Sequence, residues 1–416
     1  MKKLCLTVVG FYCMVLSAFS QSNDIDTTSY KSKKLKLDEV NLVSGYYTQN
    51  GDHSAVTGGI GTQKLNDVAN IFDLQFVKWN DANNKYSWNL ELGVDHHTAA
   101  SQSYVSASGA SRAGGTRIYP SINWQVEKNN GYTFGLGASI SNEYNYHSRS
   151  LNFMVGKVSK NKNTEINFKG HAFFDQVTLI EPSELIPKVT IVSGTTYTTA
   201  SGNVITSEGE SHKAHIPRSS RNTFSGSLTL SQVVSKNFQL ALIADGVAQT
   251  GFLSLPFHRV YFQDQDSAKI EHLPNTRFKL PLGVRLNYFL SDKIILRTYY
   301  RYYSDSWGIQ AHTASLEIPD KVSPFVSISP FYRYYVQTAS PYFAPYKAHL
   351  TSDTYYTSNY DYSAFTSQYF GVNFKITPKR GVFNIPSFNT IEIRYGHYLQ
   401  TTGLQADNIG INLKFK

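Results

Sequence analysis

The chain has 416 residues, carries a net charge of +9 and is 41% hydrophobic, yet its mean hydropathy is negative at −0.31. Beyond the N-terminus no apolar run approaches the roughly 20 residues that a membrane-spanning helix needs, so a helical membrane protein is excluded. Aromatics make up 14% of residues and charges only 17%, which points toward strands rather than a helical bundle.

In chain order, the first segment reads as a secretory signal expected to be removed. Lys2 and Lys3 precede an apolar stretch from Leu4 to Leu16, and Ala18-Phe19-Ser20 is a small-x-small cleavage site that would leave residues 21–416. Cys5 and Cys13 both lie in this segment, so the mature chain would have no disulfide, catalytic thiol or cysteine metal site. A lipid-modified Cys13 is disfavoured by the bulky Tyr12 before it. Residues 21–39 then form a polar lead-in ending in Lys31, Lys33, Lys34 and Lys36.

From residue 40 onward, stretches of about ten residues alternate apolar and polar. The pattern predicts strands near 40–48, 69–78, 86–95, 117–126, 132–141, 149–158, 164–174, 222–231, 238–248, 277–289, 294–303, 309–318, 324–336, 362–375, 389–399 and 407–416. Tyr86, Trp88, Leu90, Leu92 and Val94 would face one side, with Ser87, Asn89, Glu91, Gly93 and Asp95 facing the other. The gaps after even strands are short Asn, Asp, Gly and Ser clusters, such as Asn80-Asp81-Ala82-Asn83-Asn84. Those after odd strands are often long, at 49–68, 96–116, 175–221, 249–276 and 337–361. This rhythm predicts an all-β fold. The expected architecture is one up-and-down antiparallel transmembrane β-barrel over 40–416, of about sixteen strands with fourteen as the alternative. Its turns would be short on the periplasmic side and its loops long on the outer side. The expected location is a bacterial outer membrane. A soluble sandwich would show a polar outer face, and a propeller would show repeats of about 40–45 residues, which are absent.

Strand parity assigns the lumen-facing charges. Arg277, Lys279, Arg285, Arg297, Arg301, Arg333 and Arg394 point inward, as do Asp73, Glu91, Asp95, Glu165 and Glu392. Facing basic and acidic arcs would set a field across the lumen and favour anions. The equally weighted alternative is that these charges pair with one another and only stiffen the barrel. In the loops, Asp52-His53 and Asp95-His96-His97 carry imidazole and carboxylate groups that could ligate a divalent metal, although no HxH or HExxH spacing supports that. Other histidines, among them His147, His212, His215, His258, His272 and His349, fall in outer loops. Thr57-Gly58-Gly59-Ile60-Gly61 lacks the Lys-Ser/Thr and helix of a phosphate loop, so its glycines are read as letting a long loop fold back into the mouth. Ala311-His312-Thr313 is the best site for a hydrolase, but parity turns His312 toward lipid and no GxSxG turn exists.

The most specific segments are Asp52-His53-Ser54-Ala55-Val56-Thr57-Gly58-Gly59, Trp307-Gly308-Ile309-Gln310-Ala311-His312-Thr313, and Pro330-Phe331-Tyr332-Arg333-Tyr334-Tyr335-Val336-Gln337-Thr338-Ala339 with Tyr342-Phe343-Ala344-Pro345 after it. At these residues the chain resembles an uncharacterised bacterial family catalogued as domain of unknown function 3570. That resemblance implies an outer-membrane barrel and supplies no activity or catalytic residue. The functional expectation is porin-like or gated passage of a small anionic solute. The alternative is a plugged barrel that anchors a periplasmic or surface protein, with an outer-membrane hydrolase behind both. Partners are outer-membrane lipid and such a solute or protein, with no nucleic acid and no cofactor.

Overall fold

In the computed structural model the described residues are 34–98, 114–180, 182, 185, 196–198, 204–206 and 217–416. The signal segment and most of the lead-in, together with His212 and His215, lie outside them. The barrel is built from β1 (Lys36–Asn50), β2 (Leu65–Trp79), β3 (Lys85–His97), β4 (Gly115–Glu127), β5 (Tyr132–Asn142), β6 (Tyr146–Val158), β7 (Thr164–Thr178) and β8 (Arg218–Ser235). It continues through β9 (Phe238–Gly251), β10 (Thr276–Phe289), β11 (Ile295–Asp305), β12 (Gln310–Glu317), β13 (Val326–Gln337), β14 (Phe365–Ile376), β15 (Phe388–Gln400) and β16 (Gln405–Phe415). The sheet contains 17 segments; the seventeenth, Asp320–Ser323, only lengthens the β12–β13 hairpin, which leaves sixteen staves. Every consecutive pair is antiparallel, and β1 pairs with β16 from Val40↔Phe415 to Asn50↔Gln405, so the sheet closes on itself. Closure satisfies the backbone of every stave within the wall, which lipid demands.

The sixteen expected strands are all present. β1 begins at Lys36, so the end of the predicted lead-in belongs to the barrel, and β8 begins at Arg218, four residues before the predicted 222. The outward face is an exposed apolar belt that includes Leu90, Ile122, Leu136, Leu151, Phe168, Leu228, Leu282, Phe374 and Ile411. On a soluble protein such a continuous belt would drive aggregation; here it is the lipid-facing surface of a membrane-spanning barrel in a bacterial outer membrane. Among the described residues no helix is long and apolar enough to cross a membrane.

Turn chemistry works as the sequence implied. Asn83 (φ 57°) and Lys162 (φ 60°) take the left-handed conformation in the turns 80–84 and 159–163, and Asn80 Oδ1 accepts the Asn84 N–H at 2.9 Å. The seam where β1 meets β16 is locked near the inner rim by Val40, Val382, Phe388 and Phe415, all buried, with the Phe388 and Phe415 rings stacked at 4.7 Å. Phe415→Ala should therefore cost about 3–5 kcal/mol. Urea unfolding of the lipid-reconstituted barrel measures that loss, and an unchanged midpoint would remove these rings from the account of closure.

Candidate lumen site and outer mouth

The lumen wall along β11–β15 gathers the arginines. Arg301, Arg333 and Arg394 line one cavity of about 570 Å3 with Tyr299, Tyr335, Tyr369, Tyr398 and Glu317. Because side chains alternate along a strand, Arg297, Tyr299 and Arg301 share the inward face of β11, and Arg333 and Tyr335 share that of β13. Arg394 Cζ lies 4.0 Å from the Phe331 ring centroid, and Arg333 Cζ lies 4.8 Å from that of Tyr369. Glu317 Oε1 meets Arg297 at 3.0 Å and its Oε2 meets Arg394 at 3.7 Å. Arg301 stands 4.0 Å from Asp245. Among the described residues, Arg333 and Arg285 have no carboxylate partner; Arg285 leans toward the Tyr299 ring at 5.8 Å.

The degree of charge pairing differs with depth along this wall. At the outer rim Arg277 is spent on structure: Nε binds Asp305 at 3.0 Å, and its guanidinium lies over Trp307 at 4.4 Å. Lower down, cations exceed their carboxylates. Glu392 does not pair with Arg394 but accepts the Asn373 amide at 2.7 Å. The opposite wall is mixed rather than acidic. Glu91, Glu143 and Asp175 line a cavity of about 740 Å3 together with Arg117, Lys169 and a bank of Ser and Asn side chains on β4–β6. Asp95 sits 3.8 Å from Arg117.

Asp52 and His53 do lie in an outer loop, but Asp95, His96 and His97, expected in a loop, are the last residues of β3, paired to β2 as far as Asp67↔His97, and His147 belongs to β6. His53 stacks on Tyr360 at 3.9 Å, and its Nδ1 lies 3.0 Å from the Gly59 carbonyl oxygen; Asp52 beside it is exposed. His97 meets Glu143 at 3.3 Å, while His96 turns outward to Thr116. The structure does not gather these histidines into one site, and among the described residues no group of three or more potential metal ligands occurs. His312 is exposed on the outer face and its Nδ1 lies 2.7 Å from the Tyr300 hydroxyl, away from the lumen, as parity implied.

Three outer loops, 51–64, 252–275 and 338–364, pack against each other at the mouth. Thr57 is buried, and its hydroxyl donates to the Ser54 carbonyl at 3.3 Å. Gly58 and Gly59 take φ of 81° and 88°, and a Cβ on Gly59 would stand 2.8 Å from the Ser358 carbonyl oxygen, so these glycines do permit a close loop approach. Arg259, itself buried, donates to the Val56 carbonyl at 2.6 Å. Glu271 is 4% exposed; it accepts the Leu255 N–H at 2.9 Å and the Thr357 hydroxyl at 2.5 Å, with His258 Nδ1 at 3.5 Å. Gln337 at the top of β13 donates to the Asp361 and Ser363 carbonyls at 2.9 and 2.6 Å, tying loop 338–364 to the wall. Burial first, then the nearby Glu271 carboxylate, pushes the Tyr362 phenol up to about 12. The hydrogen bond from His349 holds the Asp353 carboxyl below its usual range.

Sequence reasoning found the arginines and missed the tyrosines between them and the buried Glu271 cluster. Parity could have found the tyrosines, since Tyr299, Tyr335 and Tyr398 sit two or four residues from Arg297, Arg333 and Arg394. The loop cluster has no period to read.

The sequence matches the family described as "Protein of unknown function (DUF3570)" over residues 93–410, about three quarters of the chain. The chain belongs to this family. No curated protein matches it. Among solved structures, the DUF3570 barrel is similar to CdiB from Acinetobacter baumannii at 10% identity, covering 91% of this chain and 60% of that one, with a TM-score of 0.44. It is also similar to a BenF-like porin from Pseudomonas fluorescens Pf-5 at 7% identity, covering 93% and 100% with a TM-score of 0.42. OccD3 of Pseudomonas aeruginosa gives 7% identity, coverage of 93% and 92%, and a TM-score of 0.43.

Proposed function

We propose that this DUF3570 barrel is a non-enzymatic channel that passes a small anionic solute across the outer membrane, with the three packed outer loops narrowing its mouth. The observation that carries this reading is the cavity in which Arg301, Arg333 and Arg394 outnumber the carboxylates that meet them, Glu317 on Arg394 and Asp245 at 4.0 Å from Arg301. In a narrow low-dielectric pore an excess of fixed cations raises the local concentration of anions. A barrel of sixteen staves is wide enough to keep an aqueous path. The test is the reversal potential of the purified barrel in a planar bilayer under a potassium chloride gradient. Preference for chloride supports the reading, and preference for potassium overturns it.

A second reading, the plugged anchor, is favoured by Phe383. This side chain is 82% exposed on the inner turn 377–387 and sits at φ 55°, a strained conformation for a non-glycine residue. It offers an apolar knob to a periplasmic protein. A correctly folded barrel that gives no current in the same experiment would favour this reading over passage.

A further inference from the structure

The arginine cavity has a recognition chemistry beyond its charge. Two of its guanidiniums lie over aromatic rings, Arg394 on Phe331 and Arg333 on Tyr369. A guanidinium that meets a ring with its face keeps its in-plane N–H fork for a carboxylate. The fork of Arg333 has no carboxylate among the described residues. That of Arg394 is 3.7 Å from Glu317, a carboxylate that sits closer to Arg297 at 3.0 Å. The Arg301 Nε is buried without a hydrogen-bond partner.

The tyrosines restrict the rest of the ligand. Tyr335 donates its hydroxyl to Gln337 at 2.6 Å, Tyr398 donates to Gln400 at 2.7 Å, and Tyr369 donates to Asn408 at 2.9 Å. These bonds fix the ring planes and occupy the hydroxyl protons. With Phe331 and Tyr369 covered by Arg394 and Arg333, the cavity presents the rings of Tyr335, Phe365 and Tyr398 next to the guanidinium edges, with Thr313, Ser315 and Ser367 beside them. Its volume of about 570 Å3 lies within the roughly 300–1,000 Å3 usual for a small-molecule site.

From this we infer that the cavity is a binding site for a small arene carboxylate, whose ring slots among the tyrosine and phenylalanine faces while its carboxylate takes the Arg333 and Arg394 forks. The inference rests on the reading of this wall as the solute path. It adds the flat ring to the negative charge.

The test is calorimetric binding to the full-length barrel in detergent with three probes. Benzoate has ring and charge, cyclohexanecarboxylate has the charge on a puckered ring, and benzyl alcohol has the ring alone. Benzoate should bind at least about tenfold more tightly than either, a difference of about 1.4 kcal/mol. Arg333→Gln should cost about tenfold in benzoate affinity, and Arg333→Lys should restore little of it because an ammonium has no planar fork. Arg394→Gln provides a second variant should the first fail to fold. Equal affinity for benzoate and cyclohexanecarboxylate overturns the inference, as does benzoate binding that ignores both substitutions. The outcome is separable from the channel reading. An anion-selective barrel without benzoate preference leaves passage standing and removes this site. A barrel that binds benzoate but carries no current removes passage and keeps the site.

Discussion

Arg333→Ala should lower the chloride-to-potassium permeability ratio about threefold, and the triple change Arg301→Ala, Arg333→Ala and Arg394→Ala should lower it about tenfold. The magnitude follows from Coulomb's law. At about 6 Å in water-like dielectric, one unit charge shifts the energy of a passing ion by roughly 0.7 kcal/mol, about a factor of three in occupancy. Three charges do not multiply fully, because salt screens those farther from the ion's path. Arg333 is the sharpest single site because, among the described residues, it forms no ion pair and lies over the Tyr369 ring. Glu317→Gln supplies a test of opposite sign. It releases Arg297 and Arg394 from their shared carboxylate, so chloride preference should rise. Reversal potentials of the four proteins under one salt gradient decide the matter. If Arg333→Ala and Glu317→Gln move selectivity in the same direction, the charge of this wall does not set it.

The fold and half of this site were legible in the sequence because a barrel wall obeys a period of two. Wherever a stave runs regularly, knowing one residue's face gives all of them, and the inward placement of Arg301, Arg333 and Arg394 follows from Tyr300, Tyr332 and Tyr395 being outward. Which charges pair is set by strand stagger and by how far a long side chain reaches across intervening staves, which parity does not encode. Strand parity put Glu392 beside Arg394, whereas register sets Asn373 opposite Arg394, from where its amide reaches diagonally to Glu392, and Arg394 extends instead to Glu317 on β12. The mouth was least legible. The contact of Arg259 with Val56 spans about two hundred residues between two irregular loops, and no local pattern encodes it. The Gly58-Gly59 step was still readable, since close approach is a property of the residue type itself.

One buried side chain joins two of the loops at that mouth. Trp307, in the turn between β11 and β12, is 2% exposed and packs with Leu253 and Leu273 of one loop and with Tyr342 and Tyr362 of another. Its Nε1 donates to the Thr276 carbonyl at 2.9 Å, its carbonyl accepts the Ser340 hydroxyl at 2.9 Å, and Arg277 covers its ring. Trp307→Ala removes a large buried side chain whose neighbours are loops, at a cost of about 3–5 kcal/mol. The barrel ladder does not run through Trp307, so the loss should fall on the mouth alone. Amides of 252–275 and 338–364 should lose hydrogen-exchange protection, while those of β1 and β16 keep theirs and the protein stays heat-modifiable on gels. If the loops narrow the path, single-channel conductance should rise in the same variant. Retained loop protection would mean that the Glu271 and Gln337 hydrogen bonds hold the mouth without Trp307. Loop release without any rise in conductance would place the constriction deeper, at the arginine wall itself.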